Sequence, residues 1–253
     1  MINTATPLVV FGDLHGHLDL FERLLAHLDA RYPQARLVTL GDYVDNGPQI
    51  PAQLERLIAL QAERPQHFFP ILGNHDLALL RSLGWPGDIP DEAWYDRWRS
   101  RYWNPGGQTP AAYGARDLRS FERAFPLAHY RFLAALPWYY DDGAHFCVHA
   151  GLHPGPIAPQ RARLAAKALP PDRLQLPDAI RNKHLAMQHD PTWERLVVSA
   201  HTQLPGVSLY SAPRRVCVSA TADYGEGLLA VVLPERRCWK ADGWTTFEVK
   251  GAS

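Results

Sequence analysis

Six side chains able to ligate a metal, Asp13, His15, Asp42, Asn74, His149 and His201, stand where short apolar runs give out, in "VVFGDLH", "VTLGDYVD", "PILGNHD", "FCVHAG" and "VVSAH". Any one of them alone reads as a turn residue or a satisfied histidine. Five runs ending alike point to one shared site, because in open α/β sheets ligands gather outside the carboxyl ends of the strands. Carboxylate, imidazole and one amide oxygen, with no thiolate, make a donor set for manganese, iron or zinc rather than for copper or a structural zinc. Six ligands exceed what one catalytic ion with an open position takes. They suit two ions sharing a carboxylate, ~3.5–4 Å apart, which clamp the attacking and leaving oxygens of an in-line displacement and lower the pKa of a bound water. Two divalent cations less two carboxylates leave a local charge of about +2, or about +1 with a hydroxide, and such a pocket favours an anion such as a phosphate monoester.

His75 directly follows Asn74, so it reaches the same crevice without being needed as a ligand. Asp45, three residues beyond Asp42, is placed to hold that imidazole in one tautomer and keep it protonated. Such a pair can protonate a leaving alkoxide. This accounts for the two aspartates of "LVTLGDYVDNGPQ", where Gly41 and Gly47 let the chain turn on both sides of the loop.

The elements that must position these groups read as α/β. The first third alternates β-rich runs with helical patterns, "PLVVFGD", "HLDLFERLLAHLDARY", "RLVTLGD", "PAQLERLIALQAER" and "HFFPILGN", which predicts βαβ units and a parallel sheet. Leu18, Phe21, Leu24, Leu25 and Leu28 recur at helical spacing, as do Leu54, Leu57, Ile58 and Gln61, and Pro51 suits a first helical turn. From about residue 77 to 137 the texture becomes a helical, aromatic insertion. Its Trp94 and Trp98 lie four apart on one face, which reads as a satellite core, with a substrate-facing lid as the alternative. Strands return at "AHFCVHAG", "RLVVSAH", "VSLYS", "RVCVSA", "LLAVVL" and "WTTFEVK", predicting a second, mixed or antiparallel sheet. The proline-punctuated stretch between the first two reads as a loop with short helices. With no repeat and no linker, residues 1–253 read as a single domain.

Composition bounds the partners. The 253 residues are 46% hydrophobic, enough for a sizeable core, and 26 Lys+Arg balance 26 Asp+Glu, so the chain as a whole is drawn neither to nucleic acid nor to an acidic membrane. Cys147, Cys217 and Cys238 are too few and too scattered for a disulfide framework and read as reduced thiols. No basic N-terminal segment precedes a long apolar stretch, and "LLAVVL" falls far short of a membrane span. A soluble, cytoplasmic protein is expected.

On these residues the chain resembles the calcineurin-like metallophosphoesterases, in particular the phosphoprotein phosphatase branch and its bacterial serine/threonine phosphatases. "GDLHGH", "GDYVDNG", "GNHD", "HAG" and a late "AH" are similar to the family's GDxHG, GDxVDRG, GNH(D/E), H(A/G)G and GH motifs, in the same order over residues 12 to 201. The resemblance implies a central β-sandwich of two mixed sheets flanked by helices. It also implies that Asp13, His15 and Asp42 hold a first metal, that Asp42, Asn74, His149 and His201 hold a second, and that His75 backed by Asp45 is the general acid. Manganese or iron and direct attack by a metal-bridging hydroxide, without a phosphoenzyme, are implied in the same way. The chain departs from the pattern at Asn46, where the family has a phosphate-binding arginine, at "SA" before His201, and at Ser219, where an aspartate is usual. Arg181 in "DAIRNKH" aligns with the family's other phosphate-binding arginine. The function implied is hydrolysis of a phosphorylated protein or another phosphomonoester. Two alternatives are symmetrical dinucleoside tetraphosphate hydrolysis, disfavoured by the presence of Asp45, and a non-catalytic binding module on the same fold.

Overall fold

Alternation of side chains along the strands builds two faces from one sheet. In the computed structural model, which describes residues 6–87, 89–100, 108–204, 209–220, 227–240 and 247–248, the chain begins with β1 (Leu8–Phe11), α1 (Leu18–Arg31), β2 (Arg36–Thr39), α2 (Ile50–Glu63) and β3 (Phe68–Pro70). β1, β2 and β3 pair in parallel, as βαβ connections require. Leu8 and Val10 point to one side of β1, while Val9 and Phe11 point to the other, where Phe11 meets Phe21 of α1 at a ring-centroid distance of 5.3 Å. α1 buries Phe21, Leu24, Leu25 and Leu28. α2 starts with Pro51 in its first turn and buries Ile50, Gln53, Leu54, Leu57 and Leu60. Gln61, expected on that face, is exposed: the helix phase turns Leu60 inward instead.

Next comes the insertion, with α3 (Asn74–Ser82), α4 (Glu92–Trp98), α5 (Gln108–Ala112), α6 (Leu118–Ala124) and α7 (Leu127–Ala135). Asp91 caps α4, accepting from the backbone N–H of Ala93 and Trp94, and Asp117 caps α6. The chain continues through β4 (Tyr139–Asp141), β5 (His145–Val148), α8 (Ile157–Ala165), α9 (Asp178–Arg181), β6 (Leu196–Ser199), β7 (Leu209–Ala212), β8 (Arg215–Val218), β9 (Leu229–Leu233), β10 (Arg237–Lys240) and β11 (Phe247–Glu248). The short helices α8 and α9 fall in the proline-punctuated stretch, as expected of a loop with short helices.

Two mixed sheets result, flanked by helices, in the orders β11-β10-β9-β1-β2-β3 and β4-β5-β6-β8-β7. In the second sheet β5, β6 and β8 are parallel, and β4 and β7 are antiparallel edges. The sheets face each other through Leu8, Val10, Val38, Val198, Val216 and Val231, all fully buried, each contributing ~1.5–3 kcal/mol of transfer free energy. β4 and β10 were not legible in the sequence. β10 returns from β9 through a turn at Pro234–Arg236, and its charged ends leave only Cys238 and Trp239 to bury. Residues 207–208 of "VSLYS" and most of "WTTFEVK" lie outside the described residues. Among the described residues no helix is long and apolar enough to cross a membrane.

Candidate active site

The carboxyl ends of β1, β2 and β3 in one sheet and of β6 and β8 in the other open on a single crevice of about 1020 Å³. Asp13, His15, Asp42, Asn74, His75 and His201 line it, and His149, fully buried at the end of β5, lies behind them against Asp42 and Asn74. All six expected ligands are thus brought together. Asp42 is central: its Oδ2 lies 3.6 Å from His15 Nε2 and 3.3 Å from His149 Nε2, and its Oδ1 accepts from the backbone N–H of His75 at 2.9 Å. Two clusters share it, His15 with Asp42 and His75, and Asp42 with His149 and His201. Asp13 Oδ1 accepts from the backbone N–H of His201 at 3.1 Å, which ties the end of β1 to that of β6.

Each histidine is oriented by its outer nitrogen. His15 Nδ1 donates to the Val44 carbonyl (2.7 Å), His149 Nδ1 to the Leu40 carbonyl (2.6 Å) and His201 Nε2 to the Arg181 carbonyl (2.7 Å). Their other nitrogens face inward, the orientation of metal-ligating histidines. The inward atom of the Asn74 amide lies 2.9 Å from His149 Nε2, 2.8 Å from His201 Nδ1 and 3.2 Å from Asp42 Oδ2. Turned with its oxygen inward, the amide adds an acceptor beside the Asp42 carboxylate and the two imidazoles, a set that a cation completes; turned with its nitrogen inward, its two N–H groups can reach Asp42 Oδ2 and His201 Nδ1. The donors present therefore fit a divalent ion.

The charges agree. Burial pushes the Asp13 carboxyl up to about 6. Burial opposes the charge on Asp42 as well, but His149 and His75 beside it hold its carboxyl well below the usual range. Burial would lower His149, yet the carboxylates of Asp42 and Asp13 hold it up at about 9, so in the metal-free crevice a proton sits where a cation would. Burial and then the charge of His149 press His201 down to about 3, leaving it neutral and ready to ligate.

His75 sits at the rim with its Nδ1 donating to Asp45 Oδ2 at 2.6 Å, and Asp45 is fully buried. The same carboxylate accepts from the Trp98 indole N–H at 2.7 Å and from the Thr109 hydroxyl. Strain is stored around these groups: His15, Asp42, Asp45, Asn46 and His201 have φ of 42°, 54°, 69°, 63° and 67°, in the left-handed region that costs ~1–3 kcal/mol for most residues. Gly41, with φ 98°, leaves room for the backbone of Gly73, which a Cβ would strike. Gly47 is needed for a different reason than a turn, because a Cβ there would run into the His15 carbonyl.

The sequence profile of the family described as calcineurin-like phosphoesterase matches residues 6–225. The chain belongs to that family. Solved structures resemble this phosphoesterase over most of its length. A putative diadenosine tetraphosphatase is 21% identical with a TM-score of 0.59, covering 97% of both chains. A cold-active protein-tyrosine phosphatase of a psychrophilic Shewanella species is 16% identical with a TM-score of 0.62, covering 96% of this chain and 80% of that one. A protein serine/threonine phosphatase from Saccharomyces cerevisiae is 16% identical with a TM-score of 0.54, covering 92% and 75%. At these identities the likeness is one of fold.

Four residues of the phosphoesterase site were not singled out for it by sequence reasoning. Asp76, in the first turn of α3, accepts from the backbone N–H of Asp42, Tyr43 and Gly73 at 2.8, 2.9 and 3.0 Å and so locks the β2 and β3 loops together. Burial and the charge of Asp42 push its carboxyl up to about 7, against those three donors. Trp98 and Thr109 hold Asp45 from the insertion. Trp98 is fully buried, so it is no lid, but its indole serves the His75–Asp45 pair as well as packing. Arg97 lines the crevice together with Arg181 and Asn46. Ser219 keeps a structural place, its hydroxyl accepting from the backbone N–H of Leu204 at 2.9 Å.

Proposed function

We propose that this phosphoesterase is a serine/threonine protein phosphatase holding two manganese ions, one on Asp13, His15 and Asp42 and the other on Asp42, Asn74, His149 and His201. The observation that carries the reading is the His75–Asp45 pair set at the rim of the ligand cluster. Phosphoserine and phosphothreonine leave as alkoxides, poor leaving groups that need a proton, and a buried carboxylate fixing an imidazole is the device for giving one.

Bound ions would polarise the phosphoryl oxygens and lower the pKa of an attacking water. The protein's own groups do the rest. Asp45 holds Nδ1–H of His75, which commits Nε2 to the crevice side, and Nε2–H passes its proton to the serine or threonine oxygen as the ester bond breaks. The buried carboxylate then stabilises the imidazole by keeping its second proton in place. Arg181 and Asn46 line the crevice wall, where they would meet the phosphoryl oxygens of a bound substrate. The three cysteines are buried and unpaired, which suits a reducing cytoplasm.

A second reading, hydrolysis of a dinucleoside tetraphosphate, is favoured by the cationic wall of the crevice, which includes Arg97, Arg181 and Lys183 and suits a chain of phosphates. Manganese-loaded protein offered phosphoserine, phosphothreonine and phosphotyrosine peptides beside dinucleoside polyphosphates separates the two. The phosphatase reading predicts the higher kcat/KM on phosphoserine and phosphothreonine peptides; the reverse order gives the site to the second reading.

A further inference from the structure

Arg97 belongs to none of the metal-binding motifs, yet the last turn of α4 carries it into the crevice wall. Its Nε is buried and meets no hydrogen-bond partner among the described residues. Arg181 lines the same crevice from α9, and burial followed by the charge of Arg97 holds the Arg181 guanidinium below its ordinary range. Two like charges are therefore held close enough to repel each other beside the ligand cluster. An anion between them turns that repulsion into attraction.

Both arginines are mounted on the machinery of the site. Trp98, next to Arg97, donates its indole N–H to Asp45 at 2.7 Å, and the Arg181 carbonyl accepts from His201 Nε2 at 2.7 Å. Asn46 also lines the crevice, but it is neutral and sits at φ 63°, a backbone state asparagine tolerates better than most residues.

We propose that Arg97 supplies a phosphate-gripping guanidinium of this site and, with Arg181, holds the non-reacting oxygens of the substrate phosphoryl group. It does from the insertion helix what the neutral Asn46 cannot do from its loop. A planar guanidinium gives two parallel charge-assisted hydrogen bonds to a phosphate, where asparagine gives one neutral bond. This inference rests on the reading of the crevice as a phosphomonoester site, so its test must be able to fail separately.

Orthophosphate binding to the manganese-loaded protein, measured by calorimetry, provides that test, with steady-state kinetics on an alkyl and an aryl phosphate beside it. In Arg97→Ala the orthophosphate dissociation constant should rise about tenfold, and KM for both esters should rise with it. Arg97→Lys, which keeps the charge and loses the fork, should fall between wild type and Arg97→Ala. If alanine lowers the melting temperature, the lysine variant carries the test. A residue that only braced Trp98 and Asp45 would lower kcat on the alkyl ester and leave phosphate affinity alone. A rise of less than threefold in the orthophosphate dissociation constant overturns the proposal. So does a loss seen with tripolyphosphate and not with orthophosphate, which would move Arg97 to a more distant phosphate. Wild-type protein that fails to bind orthophosphate would instead overturn the phosphomonoester reading itself.

Discussion

Trp98→Phe should damage catalysis in a way that depends on the leaving group. The substitution keeps an aromatic ring in the fully buried slot of α4 and removes the N–H that reaches Asp45 Oδ2 at 2.7 Å. A hydrogen bond to a buried charged acceptor is worth ~1.5–3 kcal/mol, and for a protein of this size each kcal/mol moves the melting temperature by ~2–4 °C. A fall of ~3–12 °C follows. Asp45 keeps the His75 ring at 2.6 Å and the Thr109 hydroxyl, so the pair is loosened rather than broken. We expect kcat to drop ~10-fold on an alkyl phosphate, equivalent to ~1.4 kcal/mol, and less than threefold on nitrophenyl phosphate, whose leaving group needs little protonation. Trp94→Phe is the control. It lies on the same helix face, is equally buried, and gives its indole N–H to the neutral Arg173 carbonyl at 2.7 Å. Its loss should cost ~0.5–1.5 kcal/mol of stability with no dependence on leaving group. Steady-state rates on the two esters, with thermal unfolding of each variant, decide the matter. Equal kinetic effects of Trp94→Phe and Trp98→Phe would refute a catalytic service by the insertion and leave it as packing alone.

Three further outcomes are expected. His75→Ala should lower kcat by ~10²–10⁴ on an alkyl phosphate and by much less on nitrophenyl phosphate, with metal content unchanged by elemental analysis, and Asp45→Asn should fall less far in the same direction. Metal binding should release about one proton at neutral pH, because His149, held at about 9, is charged in the metal-free crevice and must be neutral to ligate. Metal affinity should accordingly rise with pH up to about 9 and level off above it, which calorimetry in buffers of different ionisation enthalpy will read. Asn46→Arg should gain less than threefold in orthophosphate affinity while Arg97 is present, and should cost ~1–2 kcal/mol in denaturant unfolding because position 46 sits at φ 63°.

The candidate ligands were legible because each follows an apolar strand and a tight turn, so strand periodicity alone brings Asp13, Asp42, Asn74, His149 and His201 to strand ends that share one crevice. The His75–Asp45 pair was legible because both residues lie within three positions of a ligand. What supports that pair was not. Trp98 and Thr109 lie 53 and 64 residues from Asp45 along the chain, and only the packing of the insertion brings their donors to the carboxylate. Asp76 was hidden for another reason: its partners are backbone N–H groups, which carry no signature in sequence. The exposed Gln61 and the short strands β4 and β10 mark where local pattern gave way, to helix phase in the first case and to pairing with a neighbouring strand in the others.

The central claim is that Asp42 is shared between two ions held on strand ends from both sheets. A crystal structure of manganese-loaded protein, with anomalous scattering recorded at the manganese edge, tests it most directly. The account predicts two peaks ~3.5–4 Å apart on either side of the Asp42 carboxylate, with the Asn74 amide oxygen turned toward the second. A single peak at saturating manganese, bound by Asp13 and His15 without His149 or His201, would contradict it.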